Sequence, residues 1–454
     1  MKPVKKLVAA ALAASLPLAA LAQTTPAEPA KPAETAPAAT PAPAPKPADD
    51  TMKVTPYGFV LVNAFFDGDT FTTRDYPGQV AGANAGGAFL MSARQSRFGV
   101  RLAGKDTAFT GADLSGVIEF DFKAGHLPTS ATCPAGGGAC TITTANTPST
   151  SWYNGLMRLR LASATASWKF SGGQSFAILG GQDYGLVNPL FAESLAWVAD
   201  PLFWQAGNLW RRGPQFRGTY TGAFGGLGLQ LAAAIVSPAD GFTPVDNGAG
   251  NRSRMPDVEG RAAVSYKASP DMNGTVGVAY SYGKRRFDTT ATYTGNTRDI
   301  TVDVFGVDAE INVPYLTAKG EYYTGKGMDD TYNGILSPGV QGSLGATTDT
   351  RRAINSDGYW AQGILKPLPA VWVTIGYGLG EAKDADLTSA ASAAGTRRKS
   401  TQLAGGVIFN AGKWWRFGVE AIKVETTTHG NSFNGATANK DDATQVAISS
   451  QLKF

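Results

Sequence analysis

From Tyr57 to the C-terminus the chain reads as sixteen short segments of period-2 alternation, and the connections between them alternate strictly between long and short. The segments lie near 57–66, 89–103, 113–123, 156–169, 174–184, 214–221, 226–236, 257–267, 272–282, 299–312, 315–324, 358–366, 371–380, 401–409, 414–425 and 442–454. The long connections are 67–88, 124–155, 185–213, 237–256, 283–298, 325–357, 381–400 and 426–441, with tight turns between. A two-sheet sandwich has no reason to keep this parity. A membrane barrel does, because every second turn is a short periplasmic one and the others are outer loops. The expected fold is therefore all-β, a 16-stranded antiparallel transmembrane barrel over residues 51–454.

Individual strands carry the two faces that such a barrel needs. In 257–267, Val258, Gly260, Ala262, Val264 and Tyr266 alternate with Asp257, Glu259, Arg261, Ala263, Ser265 and Lys267. In 113–123, Leu114, Ile118, Phe120 and Phe122 alternate with Asp113, Ser115, Glu119 and Asp121. Two segments break the rule. The alternation of 156–169 changes phase near Ser163, which predicts a bulge, and the charged face of 299–312 shifts from Asp303 to Asp308 and Glu310. The final segment runs amphipathically from Val446 to Phe454, like the terminal strand by which outer-membrane barrels are recognised for assembly.

The N-terminal residues supply the compartment. Lys2, Lys5 and Lys6 precede an apolar run from Leu7 to Leu16, and Ala20-Leu21-Ala22 gives the small-x-small pattern of a signal peptidase site, so 1–22 read as a signal peptide with Gln23 as the mature start. Cleavage lowers the formal charge from +4 to about +1, which leaves no basic field and no argument for nucleic acid. Residues 23–50 contain eight prolines among Ala, Thr, Lys and Asp, and read as a solvated periplasmic linker, either a plain tail or a reach toward the cell wall or a partner. No later stretch is long and apolar enough for a transmembrane helix.

A barrel of this size leaves an aqueous lumen. The connection 185–213 is too rich in Phe191, Trp197, Phe203, Trp204 and Trp210 to hang in water, so it should pack against the inner wall as a constriction or against a neighbouring subunit. Arg97 and Arg101 share one face of the second strand, Arg158 and Arg160 one face of the fourth, and Arg217 points inward on the sixth if Phe216 and Tyr220 meet lipid. These guanidinium groups would draw small anions. The competing reading is wall pairing, since Glu119 and Asp121 lie on the strand between. Arg211 and Arg212 end the loop with no acidic neighbour in sequence and are, with Arg217, the stronger functional candidates.

Four motifs, Arg94-Gln-Ser-Arg-Phe-Gly99, Met157-Arg-Leu-Arg-Leu-Ala162, Leu179-Gly-Gly-Gln-Asp-Tyr184 and Arg212-Gly-Pro-Gln-Phe-Arg217, resemble the DcaP-type trimeric outer-membrane porins. The likeness is best in the N-terminal half and thins after Tyr220. It implies a homotrimer in outer-membrane lipid that takes up small anions such as dicarboxylates, with basic constriction residues at Arg97, Arg158, Arg160 and Arg217. The Pro/Ala-rich 23–50 departs from the N-terminal coiled coil that such porins can carry. A sugar-selective porin, and a surface adhesin or receptor on a barrel scaffold, are the rival functions.

Nothing points to an enzyme, a metal or a cofactor: His126 and His429 lie in separate outer loops without a triad or ligand motif. Cys133 and Cys140 bracket Pro134-Ala-Gly-Gly-Gly-Ala139 and are expected to form one disulfide.

Overall fold

The computed structural model describes residues 51–81, 86–106, 110–124, 130–132, 141–143, 155–238, 249–286, 299–328, 331–335, 339–341, 351–387, 396–429 and 439–454. They fall in one compact unit, Asp49–Phe454. The signal and linker segments, His126 and both cysteines lie outside the described residues.

The strands are β1 (Lys53–Asp67), β2 in two pieces (Ala88–Ser92 and Arg97–Lys105), β3 (Asp113–Asp121), β4 (Arg158–Lys169), β5 (Ser175–Tyr184), β6 (Arg212–Phe224), β7 (Leu227–Val236) and β8 (Asp257–Ser269). They continue with β9 (Met272–Arg286), β10 (Asp299–Val313), β11 (Leu316–Lys326), β12 (Asn355–Leu368), β13 (Val371–Ala382), β14 (Arg397–Ala411), β15 (Trp415–Thr428) and β16 (Lys440–Lys453). Every strand pairs antiparallel with its sequence neighbours, and β1 closes the ring by pairing with β16 from Phe59↔Lys453 to Asp67↔Gln445. Mutual backbone hydrogen bonds of 3.1 Å between Gly58 and Phe454 seal that joint. Closure leaves no unpaired edge, which is what lets a sheet sit in hydrocarbon.

The two faces are inverted relative to a water-soluble sheet. Outward side chains are large and apolar and stay exposed, as with Val60, Phe66, Phe216, Leu231, Val276, Ile375, Val419 and Ile448. Inward ones are polar and buried, including Glu119, Asp121, Asp257, Glu259, Glu321, Gln362, Gln402, Glu420 and Gln445. An apolar exterior that encircles the molecule is the mark of a membrane-embedded outer-membrane barrel. Tight turns join strands at the periplasmic end. The β6–β7 turn is Gly225-Gly226, with Gly225 at φ 62°, a conformation that costs glycine nothing.

Three details differ from the sequence reading. The expected single strand 89–103 is broken at 93–96, because these side chains bond to loops and to β1: Arg94 to Asp75, Gln95 to the Ala196 carbonyl, and Ser96 to the Leu61 backbone of β1. The bulge in β4 sits at Arg160, with Leu161 opposite Glu119 and Leu159 opposite Phe120, three residues before the phase change at Ser163. Strand β10 keeps one register throughout. Its inner face changes from apolar Ile300, Val302 and Val304 to Asp308 because loops pack against its outer end, while Asp303 faces out and pairs with Lys326 at 3.3 Å.

Candidate channel constriction

The segment between β5 and β6, residues 185–211, lies inside the barrel and follows its inner wall. Backbone groups inside a barrel must find partners other than a sheet ladder, and the lumen-facing side chains of successive strands supply them. Leu186 N–H donates to Glu259 of β8 at 2.6 Å, and Leu190 N–H to Glu321 of β11 at 2.6 Å. Glu193 N–H donates to Gln362 of β12 at 2.6 Å, while Leu195 and Ala196 share Glu420 of β15 at 2.9 and 2.8 Å. Trp197 Nε1–H reaches Gln445 of β16 at 3.0 Å, Asn63 of β1 donates to the Ala196 carbonyl at 3.0 Å, and Gln95 accepts from Val198 and Ala199 at 3.0 and 3.1 Å. Arg160 of β4 closes the circuit on the Ala199 carbonyl at 2.7 Å.

The five rings of this loop pack within the barrel. Phe203 stacks on Trp360 with centroids 5.9 Å apart, and Trp204 meets Tyr76 of the first outer loop at 5.3 Å. Phe191 packs on Tyr184 at 4.9 Å, Trp210 lies under the Arg212 guanidinium at 4.9 Å, and Trp197 is buried among Phe65, Ile422 and Val424. Glycines on the lumen face of β13 make room: a Cβ on Gly376 would meet the Phe203 ring, and one on Gly378 the Ala206 carbonyl. Trp197 and Phe203 join a buried cluster with Phe65, Leu90, Trp360, Ile422 and Val424, while Tyr323, Tyr332, Val302 and Val304 form a second one with Leu209. Strands β2 to β6 form a further stretch of the inner wall.

That wall carries the arginines. Arg158 grips Asp121 at 3.0 and 2.7 Å and reaches Asp200 at 3.2 Å. Arg160, turned inward by the bulge, binds Glu119 at 2.9 Å, Asp121 at 2.7 Å and the Tyr184 hydroxyl at 3.0 Å. Arg97 lies 3.5 Å from Glu119 and donates to the Val198 carbonyl at 2.8 Å. Lys123 binds Asp200 at 2.6 Å. Burial pushes the Asp200 carboxyl up, but Lys123 and Arg158 outweigh it and hold this loop acid well below the usual range, so it stays ionised at neutral pH. Arg97, Lys123, Arg158 and Arg160 thus face Glu119, Asp121 and Asp200, and Arg212 joins them 5.7 Å above the Tyr184 ring. Arg212 makes no salt bridge among the described residues. Neither does Arg217, which donates to Gln215 at 3.1 and 2.9 Å and to the Tyr184 carbonyl.

The expectation that Arg211 lacks an acidic neighbour is corrected. It is buried, 3.0 Å from Asp257 and 3.3 Å from Glu259, in a network that Arg285 and Tyr332 complete. Its partners lie 46 and 48 residues away and only the sheet brings them together. Arg101 stands nearer the periplasmic end, its guanidinium 4.0 Å over the ring of Tyr57, whose hydroxyl donates to Glu119 at 2.8 Å. The sequence reading missed Lys123, Asp200 and the carboxylates and amides that tether the loop. Their signal is a row of inward acids and glutamines at one height, visible only once register is known. Removing the Glu420 carboxylate by Glu420→Ala leaves two loop amides without a partner, at about 1–3 kcal/mol each. Noisier single-channel current is the expected readout.

The class this geometry defines is an outer-membrane β-barrel of porin fold with an in-folded loop. Among solved structures, the outer membrane channel DcaP of Acinetobacter baumannii matches with TM-score 0.60 and 17% identity, over 90% of this chain and 99% of that one. An anion-selective porin from Comamonas acidovorans (14% identity, 89% and 100% covered, TM-score 0.48) and OprB of Pseudomonas putida (10%, 89% and 95%, 0.49) are more distant, too distant to argue from. The first likeness establishes the shared fold. No protein-family profile and no curated protein sequence matches the chain.

Proposed function

We propose that the barrel is a diffusion channel for small solutes that favours anions, dicarboxylates foremost, and works as a homotrimer as the motif resemblance implies. The observation that carries the selectivity is the surplus of charge on the β2–β6 wall: Arg97, Lys123, Arg158, Arg160 and Arg212 against Glu119, Asp121 and Asp200. Paired arginines hold the loop and the wall. Arg212 and Arg217, which make no salt bridge among the described residues, keep donors for a passing anion, and a guanidinium fork matches a carboxylate in shape as well as charge. A narrow lumen with low-dielectric walls focuses the field of each unpaired charge.

Three of the five rings of 185–211 are spent on packing: Trp197 is 3%, Phe203 0% and Trp210 8% exposed, and Phe191 and Trp204 are half-buried, so the loop offers no continuous stacking rail to a sugar. Proteoliposome swelling tests the proposal. Succinate is expected to enter several-fold faster than a neutral solute of equal size, about what one unbalanced charge at ~5 Å supplies in a water-like medium. Equal rates would remove the anion preference, and faster entry of a disaccharide than of succinate would favour the sugar channel.

A further inference from the structure

Ion pairing differs between the two ends of the barrel. At the outer end many cations are matched, Arg74 with Asp67, Arg94 with Asp75, Arg286 with Asp299, Lys383 with Asp357 and Lys440 with Glu425, while Lys284, Arg397 and Lys399 make no salt bridge among the described residues. At the periplasmic end, Arg101, Lys105, Lys267, Lys319, Lys366 and Lys453 all fall on lumen-facing positions, in phase with the buried inward residues of their strands. None makes a salt bridge among the described residues. The carboxylates at this end are few. Asp113 is held by Lys169 at 2.7 Å and stands opposite Lys105, Glu310 stands opposite Lys319, and Asp106 and Asp271 sit in the turns.

On β11, β12, β15 and β16 the basic groups Lys319, Lys366, Arg416 and Lys453 line the periplasmic part of the inner wall, with Trp372 of β13 and Asn410 of β14 between them. Lys366 donates to Thr317 at 3.1 Å and lies 5.3 Å from the Trp372 ring, which carries the Arg416 guanidinium at 5.0 Å. Arg416 is positioned by Asn410 at 3.0 Å and spends one donor on Glu193 of the loop at 2.9 Å. It pairs in register with Gln451, two residues before Lys453 on the same face. Across the barrel joint, Lys453 faces Phe59 of β1, the strand whose Tyr57 carries Arg101.

We propose that this row is a second anion station, at the periplasmic mouth, and that it holds multiply charged anions such as condensed phosphates or polycarboxylates. Lysine ammonium groups are point charges on flexible stems, so the row selects for charge more than for shape. Neighbouring strands lie ~4.8 Å apart, which spreads the cations along the wall and favours an anion able to meet more than one of them. The station shares the anion reading of the constriction but stands on different residues, and it makes the channel electrically asymmetric along its axis.

The test records chloride current through single channels in a planar bilayer, with inorganic pyrophosphate added to one chamber and then the other. Wild-type channels are expected to be blocked from one side at about tenfold lower concentration. Lys319→Gln, Lys366→Gln and Lys453→Gln together should bring the two sides level, and Lys366→Gln alone, for use if the triple variant fails to assemble, should narrow the gap. Equal block from both sides of the wild type, or an asymmetry untouched by either variant, would overturn the station. The zero-current potential in a KCl gradient reads the arginine wall separately. One-sided block in a cation-preferring channel would sink the constriction reading and leave the periplasmic station standing.

Discussion

Glutamine in place of both Arg212 and Arg217 is expected to lower the chloride-to-potassium permeability ratio about 5- to 10-fold in dilute salt. Each charge at ~5 Å from a passing ion is worth ~0.8 kcal/mol even in a water-like medium, and two of them add to about a factor of ten before screening. Neither arginine makes a salt bridge among the described residues, so no carboxylate is stranded, and thermal stability should change little. Glutamine preserves much of the width, so conductance should move less than selectivity. In 1 M salt, where the Debye length is ~3 Å, the effect should shrink. A zero-current potential that ignores this double substitution would show that the unpaired arginines do not set selectivity.

Arg160→Gln is expected to act on stability first. Arg160 is 2% exposed and binds Glu119, Asp121, Tyr184 and the Ala199 carbonyl, while Asp121 is fully buried. Removing one member of a buried ionic network leaves uncompensated charge at a cost of about 3–5 kcal/mol. The folded band on an unboiled gel should therefore disappear at a lower temperature. Freed at Ala199, the loop should also flicker, giving noisier current. The double variant Glu119→Gln with Arg160→Gln should recover part of the loss, because one orphaned carboxylate goes with the arginine. Unchanged thermal stability in Arg160→Gln would reject wall pairing as the main work of this residue.

The contrast between Arg160 and Arg212 shows where sequence reasoning reaches. Strand number, the long–short rhythm and the inward or outward sense of most residues follow from a local period of two, and β8 shows it plainly: Asp257, Glu259 and Arg261 face in, Val258 and Val264 face out. Strand ends are less legible. Above the hydrocarbon the outer face no longer has to be apolar, so Asp303 can face out beside Lys326, while the inner face turns apolar wherever a loop packs on it, as at Val302 and Val304.

Pairing across the lumen is not legible at all from spacing. Arg211 looked free because Asp257 and Glu259 are remote in the chain, and the break at 93–96 looked like continuous strand because Gln95 and Ser96 fit either pattern. Glu259, Glu321 and Glu420 carry no local mark that sets them apart from other polar residues of their strands, yet each binds a backbone amide of one loop. That role depends on a segment arriving from a distant part of the chain.

The most direct test of the anion channel is the zero-current potential of the wild-type protein across a tenfold KCl gradient, with the dilute side near 0.01 M, where the Debye length is ~30 Å and fixed charges are least screened. The surplus of arginine and lysine on the β2–β6 wall predicts a potential of the sign set by chloride, falling toward zero as both chambers are brought to molar salt. A potential of the sign set by potassium, or none at low salt, would contradict it.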